Sequence, residues 1–331
     1  MPEVLVRARG LTKRFGSFTA VDGINFDLFR GEAFGFLGPN GAGKSSTMRM
    51  LGCVSPPTSG DLTILGGDPV RDGPAIRSRL GVVPQEDTLD NELTVRENLL
   101  VYGRYFGLPR KLINERTDQL LDFVQLTERA DDQVDPLSGG MKRRLTIARS
   151  LINDPDILIL DEPTTGLDPQ ARHVVWDRLF SLKQRGVTLI LTTHYMDEAE
   201  QLCDRLVVMD HGTIAAEGAP RDLIARYSTP EVVELRFAPE DRDEAILRIK
   251  ELQNAGSSGG ETPARVGTGG YGGASPREMT ITADRLLLYA ADGDEFLARV
   301  RAAGLAPLTE LVRRSTLEDV FLHLTGRTLI D

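Results

Sequence analysis

Long apolar runs are missing from this chain. The longest, ILIL at 157–160 and VTLILTT at 187–193, have the length of a buried strand, well short of the roughly 18–20 residues that a membrane helix needs. Cysteine is scarce. Cys53 and Cys203 are far apart and fit no metal-ligand spacing, so both are expected as reduced, buried or half-buried thiols in a cytosolic protein. Positive charge is not in excess: 39 Lys and Arg stand against 49 Asp and Glu, a formal net charge of −10. That argues against a general nucleic-acid surface but leaves room for a local basic pocket. The N-terminal MPEVLVRARG carries charge throughout and lacks the apolar stretch of a signal peptide. What remains is a globular composition, 40% apolar and 27% charged over 331 residues, enough for one large domain or two ordinary ones.

The first two-thirds of the chain alternates short β-branched runs with longer helical patterns. EVLVRARGLTKRF and INFDLF predict a small antiparallel sheet, GEAFGFLG (31–38) a strand ending in glycine, and KSSTMRMLGCV (44–54) a helix. RLGVVPQ (79–85) predicts another strand, and residues 93–107 and 110–125 two helices broken at Pro109. DILILDEP (156–163) and VTLILTTH (187–194) are continuous apolar strands of the kind buried on both faces of a parallel sheet, with a helix over about 169–185 between them. RLVVMDHGTIAAEG (205–218) predicts a hairpin turning at Asp210–Gly212. After about Tyr227 the pattern becomes strand (231–237), helix (242–254), strand pair (278–290), helix (293–303) and a last amphipathic helix (315–326) that spaces Leu317, Val320, Phe321 and Leu324 along one face. Between Asn254 and Pro276 eight residues are glycine, the composition of a flexible insertion or linker. The expected organisation is one domain over 1–227, with a helical subdomain at about 88–155, and a small α+β domain over 228–331.

Two stretches carry chemistry. GPNGAGKS (38–45) fits glycine, any four residues, glycine, lysine, serine, between a predicted strand and a predicted helix. Gly38, Gly41 and Gly43 let the backbone wrap an anion without a Cβ in the way, and the helix N-terminus adds positive potential. Lys44 is placed to reach β- and γ-phosphates and Ser45 to offer a hydroxyl to Mg²⁺. ILILDEP then sets Asp161 and Glu162 at the C-terminal end of a central strand, where α/β sheets bind ligands. Asp161 suits Mg²⁺, directly or through water, and Glu162 the polarisation of an attacking water. Alone, this pair would also serve as a strand cap before Pro163.

GPNGAGKS, LSGGM (137–141), ILILDEP and TTH (192–194), in this order, resemble the nucleotide-binding subunit of ABC transporters over residues about 4–227. The resemblance implies a P-loop NTPase fold of ABC type: a parallel core sheet, an antiparallel β subdomain and a helical subdomain, here followed by the small α+β domain. It implies ATP and Mg²⁺ as ligands. The nucleotide would be held by Phe15 (a ring for adenine, or a core residue), Gly38, Asn40, Gly41, Ala42, Gly43, Lys44, Ser45 and Ser46 of one subunit. Ser138, Gly139 and Gly140 of a second subunit would complete the site, with Asp168 crossing the interface or capping a helix. Ser45, Gln85 and Asp161 would hold the metal. Glu162 would act as general base, with His194 on the γ-phosphate and Gln85 beside the attacking water. Partners implied are a second copy and a separately encoded membrane permease on the cytoplasmic face of the cell membrane, with no nucleic acid.

LSGGMKRRL, LINDP, DEPTTGLDPQAR, TTHYMDEAE and LEDVFLHLTG are similar to one exporter branch, the ATPases of drug-resistance (daunorubicin-type) and nodulation-factor (lipo-oligosaccharide) exporters. Met141 departs from the broad pattern, where glutamine is commonest, in a way this branch shares. An importer ATPase, or an ABC protein acting on ribosomes or DNA, is the alternative. Ribosome-acting members usually carry two cassettes, and repair members a long insertion for which 54–137 is too short. The final domain could bind a regulator or substrate, or stabilise the assembly. Ser138 is expected to cap a helix beginning near Gly139. Arg143 and Arg144 are left open between a partner subunit and solvent.

Overall fold

A computed structural model describes residues 3–256, 279–282 and 284–326. The Gly-rich stretch after Gly256 lies outside them. The chain divides into two compact units, one running to Pro220 and one beginning at Arg221.

In the first unit β1 (Val4–Phe15) and β2 (Phe18–Phe29) pair antiparallel through a tight turn at Gly16 and Ser17. β3 (Ala33–Leu37) is fully buried and ends at Gly38, and α1 (Lys44–Leu51) starts six residues later. β4 (Ser59–Ile64) joins the first sheet in the order β2-β1-β4. The sequence reading did not find it, because SGDLTI buries only Leu62 and Ile64 and carries little apolar signal. After a short α2 (Gly73–Arg77) and β5 (Leu80–Val83), a helical block follows: α3 (Val95–Tyr105), α4 (Arg110–Phe123) and α5 (Gly139–Ser150). A capping box of Thr94 and Glu97 starts α3. The block has its own core of Val95, Leu99, Leu121, Val124, Leu126 and Leu145.

β6 (Ile157–Asp161), α6 (Pro169–Gln184) and β7 (Thr188–Thr193) form the expected β-α-β unit, with β6 and β7 parallel neighbours. A short α7 (Met196–Leu202) precedes the hairpin β8 (Arg205–Asp210) and β9 (Thr213–Gly218). His211 and Gly212 both have positive φ there, as a two-residue hairpin turn requires. The main sheet runs β5-β6-β7-β3-β8-β9. All but β9 are parallel. Phe26 of β2 meets Phe34 and Phe36 of β3 at ring distances of 5.8 and 5.2 Å, joining the small sheet to the large one through an aromatic core. The order places the C-terminal ends of β3, β6 and β7 side by side. Gly38, Asp161 with Glu162, and His194 follow those ends.

The second unit begins with α8 (Pro220–Tyr227), then β10 (Glu231–Arg236), α9 (Arg242–Gly256), β11 (Met279–Ile281), β12 (Leu286–Ala290), α10 (Gly293–Ala302), β13 (Thr309–Arg314) and α11 (Leu317–Thr325). The run β10 to β13 is a β-α-β-β-α-β motif in an antiparallel sheet ordered β11-β12-β10-β13, the split βαβ arrangement. Val233, Leu235, Ile249, Phe296 and Val300 form the core under α9 and α10. Leu322 of α11 packs with Val232 and Leu287 from the alternate strand positions. Leu317, Val320 and Phe321 are buried as spaced, Leu324 only partly. Arg313 closes this unit's polar network, bonded to Asp319 at 2.7 and 3.0 Å and to Glu234 at 2.5 Å.

Candidate functional site

The loop 38–46 closes on itself around its lysine. Gly43 precedes α1 with φ 102°, a conformation glycine adopts freely, and a Cβ there would sit 2.4 Å from the Ala20 carbonyl. The first turn of α1 holds no acidic residue, so its unpaired amides stay available to an anion. Lys44 is buried. Its Nζ donates to Gly38 O (2.6 Å) and Pro39 O (3.1 Å) and lies 3.7 Å from Glu162 Oε1. Burial lowers the pKa of this amine, and Glu162 and Asp161 oppose that shift.

Glu162 is the hub of the site. It has φ 45°, an unusual conformation for a side chain of this size, of a kind that costs about 1–3 kcal/mol and clusters at functional sites. Its amide donates to Thr192 Oγ1 (3.0 Å), and the Thr192 hydroxyl donates to Asp161 Oδ1 (2.5 Å), so one threonine fixes the Asp161 carboxylate and the backbone of Glu162. Gln85 Nε2 (3.2 Å) and Thr165 Oγ1 (3.1 Å) donate to Glu162 Oε2. His194 Nδ1 lies 3.3 Å from the same oxygen, close enough for an ion pair but angled so that no hydrogen bond forms. His194 is the largest influence holding the Glu162 carboxyl below the ordinary glutamate range; burial opposes it, and Lys44 and Thr165 add to it. The site therefore presents an ionised carboxylate ringed by donors.

Phe18, Ala20, Pro39, Asn40, Gly41, Gly43, Lys44, Ser45, Ser46, Gln85 and Glu162 line one concavity. Gly38 and Ala42 are buried behind its wall, and the Ala42 amide donates to Pro39 O (3.2 Å). Phe15 is not on the wall. It is half exposed, pairs across the hairpin with Phe18, and has the Lys13 ammonium 5.1 Å from its ring centre. Phe18 is 62% exposed and is an aromatic the sequence reading missed. The signal that could have found it was Gly16–Ser17, a two-residue hairpin link with Gly16 at positive φ.

A second concavity, sharing no residue with the first, is lined by Ser138, Gly140, Met141, Arg144, Asp168, Gln170, Ala171 and Val174. Ser138 caps α5, accepting from the Met141 amide at 3.3 Å; Asp168 caps α6, accepting from the Ala171 amide at 2.9 Å. Both are exposed, as is Gly139. Within one chain, the residues expected at a single nucleotide fall into two separate halves.

Arg143 is half-buried rather than exposed. It turns inward from α5, and burial lowers its pKa to about 10. Its guanidinium donates to the carbonyls of Pro84, Asp161 (3.0 Å), Glu162 (3.2 Å) and Pro163 (2.6 Å). It thus ties the segment entering Gln85 to the one carrying Glu162. Arg144 donates to Val124 O at 2.7 Å. Three consecutive cations gave no sequence signal that the middle one points inward, because the carbonyls it meets come from segments 20 and 59 residues away in the chain. Asp161, Ser45 and Gln85 offer only oxygen ligands, which suits a hard cation. Among the described residues no group of three His, Cys, Asp or Glu side chains converges on a point, so an ion here would lean on phosphate oxygens.

The chain matches the family described as ABC transporter over residues 21–165, and the C-terminal domain of the nodulation factor export protein NodI over residues 272–326. It is 45% identical over 334 residues to the Nod factor export ATP-binding protein I of Paraburkholderia xenovorans (strain LB400), with all of both chains covered. It is 46% identical over 329 residues to the protein of that name from Rhizobium sp. (strain N33), with 99% of each covered. Among solved structures, it resembles cbiO1 from Clostridium perfringens, part of the ABC transporter complex cbiONQ, at TM-score 0.63 and 27% identity over 77% of this chain and 99% of that one. A dimeric ATP-binding cassette in a post-hydrolysis state, bound to ADP and Pi, matches at TM-score 0.59 and 27% identity over 65% of this chain and 98% of that one.

Proposed function

Because the chain belongs to the Nod factor export ATP-binding protein family of ABC transporter ATPases, we propose that it is the ATP-hydrolysing subunit of an exporter for a lipo-oligosaccharide. It would work as a homodimer on the cytoplasmic face of a separately encoded permease. No helix among the described residues is long and apolar enough to cross a membrane. The observation that carries the dimer reading is the division of the site into two concavities with no residue in common. Neither concavity of a lone chain is enclosed, whereas two copies facing each other would join the 38–46 loop of one to Ser138 of the other, twice.

The chain's own residues have clear tasks in that arrangement. Amides of α1 and its glycine loop take the phosphates, and Lys44 leaves the Gly38 and Pro39 carbonyls for the β- and γ-phosphate oxygens. Glu162, already ionised, orients a water and accepts its proton. Gln85 and Thr165 hold that carboxylate, and His194 meets the γ-phosphate. Ser138 and the N-terminus of α5, reaching from the second copy, cover the same phosphate, and Asp168 reaches across beside it. Ser45, Gln85 and Asp161 would hold Mg²⁺, which when bound offsets the phosphate charge. Phe18, on the wall of the concavity, offers a ring to the base, with Phe15 paired to it across the hairpin.

The proposal is tested with Glu162→Gln. With ATP this variant is expected to accumulate as a dimer in size-exclusion chromatography while turnover collapses. Turnover near the wild-type rate would reject Glu162 as the base, and a monomer at saturating ATP would reject the composite site. Copurification of a membrane permease, and ATP-dependent loss of a lipo-oligosaccharide from cells that carry both, would test the cargo.

A further inference from the structure

Glu198 lines neither concavity, and hydrolysis as described above does not use it. It belongs to α7, four residues after His194, and is fully buried. Its Oε1 accepts from the Thr164 hydroxyl at 2.9 Å and from the Trp176 indole N–H at 3.0 Å. Thr164 lies between Glu162 and Asp168, and Trp176 lies in α6, eight residues after Asp168. Its Oε2 has no well-formed hydrogen bond. Burial raises the pKa of the carboxyl; bonds from Thr193, Thr164 and Trp176, with the charge of Arg172, oppose the rise. A carboxyl enclosed at this cost is poorly explained by packing, which an apolar side chain would do better. A second tie runs beside it. The Tyr195 ring lies 4.1 Å from the His194 ring, and the Arg172 guanidinium sits 4.2 Å over the Tyr195 ring. Arg172 is again on α6. The segment bearing His194 is thus fastened to the Glu162–Asp168 loop and its helix by one polar and one aromatic link.

We propose that Glu198 is a positioning residue for ATP hydrolysis: by holding Thr164 and Trp176 together it keeps the His194 segment in register with the loop carrying Glu162 and Asp168, so that these groups reach the γ-phosphate as one unit. The inference rests on the roles proposed above for Glu162 and His194. It also makes Trp176, the single tryptophan of the chain, a built-in reporter, since its indole donates the bond in question.

The test uses steady-state ATPase kinetics of the full chain together with its tryptophan emission. Glu198→Ala is expected to lower kcat about tenfold and to leave KM for ATP within about twofold, the signature of a lost arrangement rather than lost binding. Glu198→Gln, whose amide oxygen accepts both donors, is expected to restore kcat to within about threefold of wild type. In the Glu162→Gln background, ATP should shift Trp176 emission; adding Glu198→Ala should abolish the shift and adding Glu198→Gln should keep it. Wild-type kcat in Glu198→Ala, equal losses in the Ala and Gln variants, or an emission response indifferent to Glu198→Ala would each overturn the proposal. Should Glu198→Ala not fold, Thr164→Val and Trp176→Phe remove the donors singly. Each is expected to cost about threefold in kcat, and no loss in either overturns the proposal equally. If Glu162→Gln is inactive while Glu198→Ala behaves as wild type, only this inference falls; if Glu162→Gln is active, the reading beneath it falls too.

Discussion

The two halves of the proposed nucleotide site are built on opposite principles. The half around Lys44 and Glu162 is buried and internally satisfied: each charge has found a partner in its own chain. The half around Ser138 and Asp168 is exposed, and its two leading side chains each spend one bond on capping a helix. The first would carry the chemistry and can be assembled by one chain alone. The second has geometry but no base and no phosphate loop, and gains a task only against another copy. On the proposed arrangement hydrolysis would be conditional on assembly, since the half that can react lacks the half that encloses.

This contrast can be broken at its widest point. Placing a bulky side chain at Ser138, as in Ser138→Phe, is expected to reduce turnover by about 10²–10³-fold, the scale of losing a preorganised donor at developing charge, with ATP binding to the isolated chain unchanged. Weakened binding in that variant would mean that the two halves are not separate. Mixed dimers of Ser138→Phe with Glu162→Gln sharpen the point, since at most one working site should return. Lys44→Ala should show the reverse pattern. Loss of a charge-assisted contact is expected to weaken ATP affinity about 10–100-fold by isothermal titration, while the Ser138 half keeps its form. Arg143→Gln tests the join between the halves, because Arg143 grows from the Ser138 helix and holds the backbone of Glu162. A kcat about tenfold lower, with KM little changed, is expected.

A smaller effect lies in the pH dependence. The Glu162 carboxyl is held below its usual value of 4.5, first by His194. A depressed carboxyl contributes stability above its unfolded pKa and loses it as pH falls through the folded value. The difference in unfolding free energy between wild type and Glu162→Gln should therefore be flat above about pH 5.5 and decline in acid, across and below 4.5. A difference that stayed flat into acid would show that the carboxylate is not held by its neighbours. Smallest of all, Phe18→Ala should raise KM for ATP about 3–10-fold, the worth of one aromatic contact, with kcat unaltered.

Much of this was legible in the residues. GPNGAGKS announces its loop because a string of small residues can wrap an anion, and the buried strands ending in Asp161 and Thr193 follow from unbroken apolar runs. The hairpin at His211–Gly212 likewise follows from its turn chemistry. What escaped depends on three-dimensional phase. The Arg143 direction matters only through the carbonyls of Pro84, Asp161, Glu162 and Pro163 that gather around it, and Thr192 joins the Asp161 carboxylate to the Glu162 amide only because β7 pairs in register with β6. β4 and β13 were missed for another reason. Both lie at sheet edges, SGDLTI and TELVRR, with little to bury, so the periodicity that reveals core strands is absent from them.

One close approach limits how the molecule can move. A methyl group on Gly140 would lie 2.7 Å from the Ala171 Cβ, so the start of α5 and the start of α6 touch with no room between them. Ser138 precedes one of these helices and Asp168 the other. The two groups proposed to meet a neighbouring copy from different loops therefore move together. A copy docking on one as proposed would fix the other, and would have fewer independent coordinates to search than the number of loops suggests.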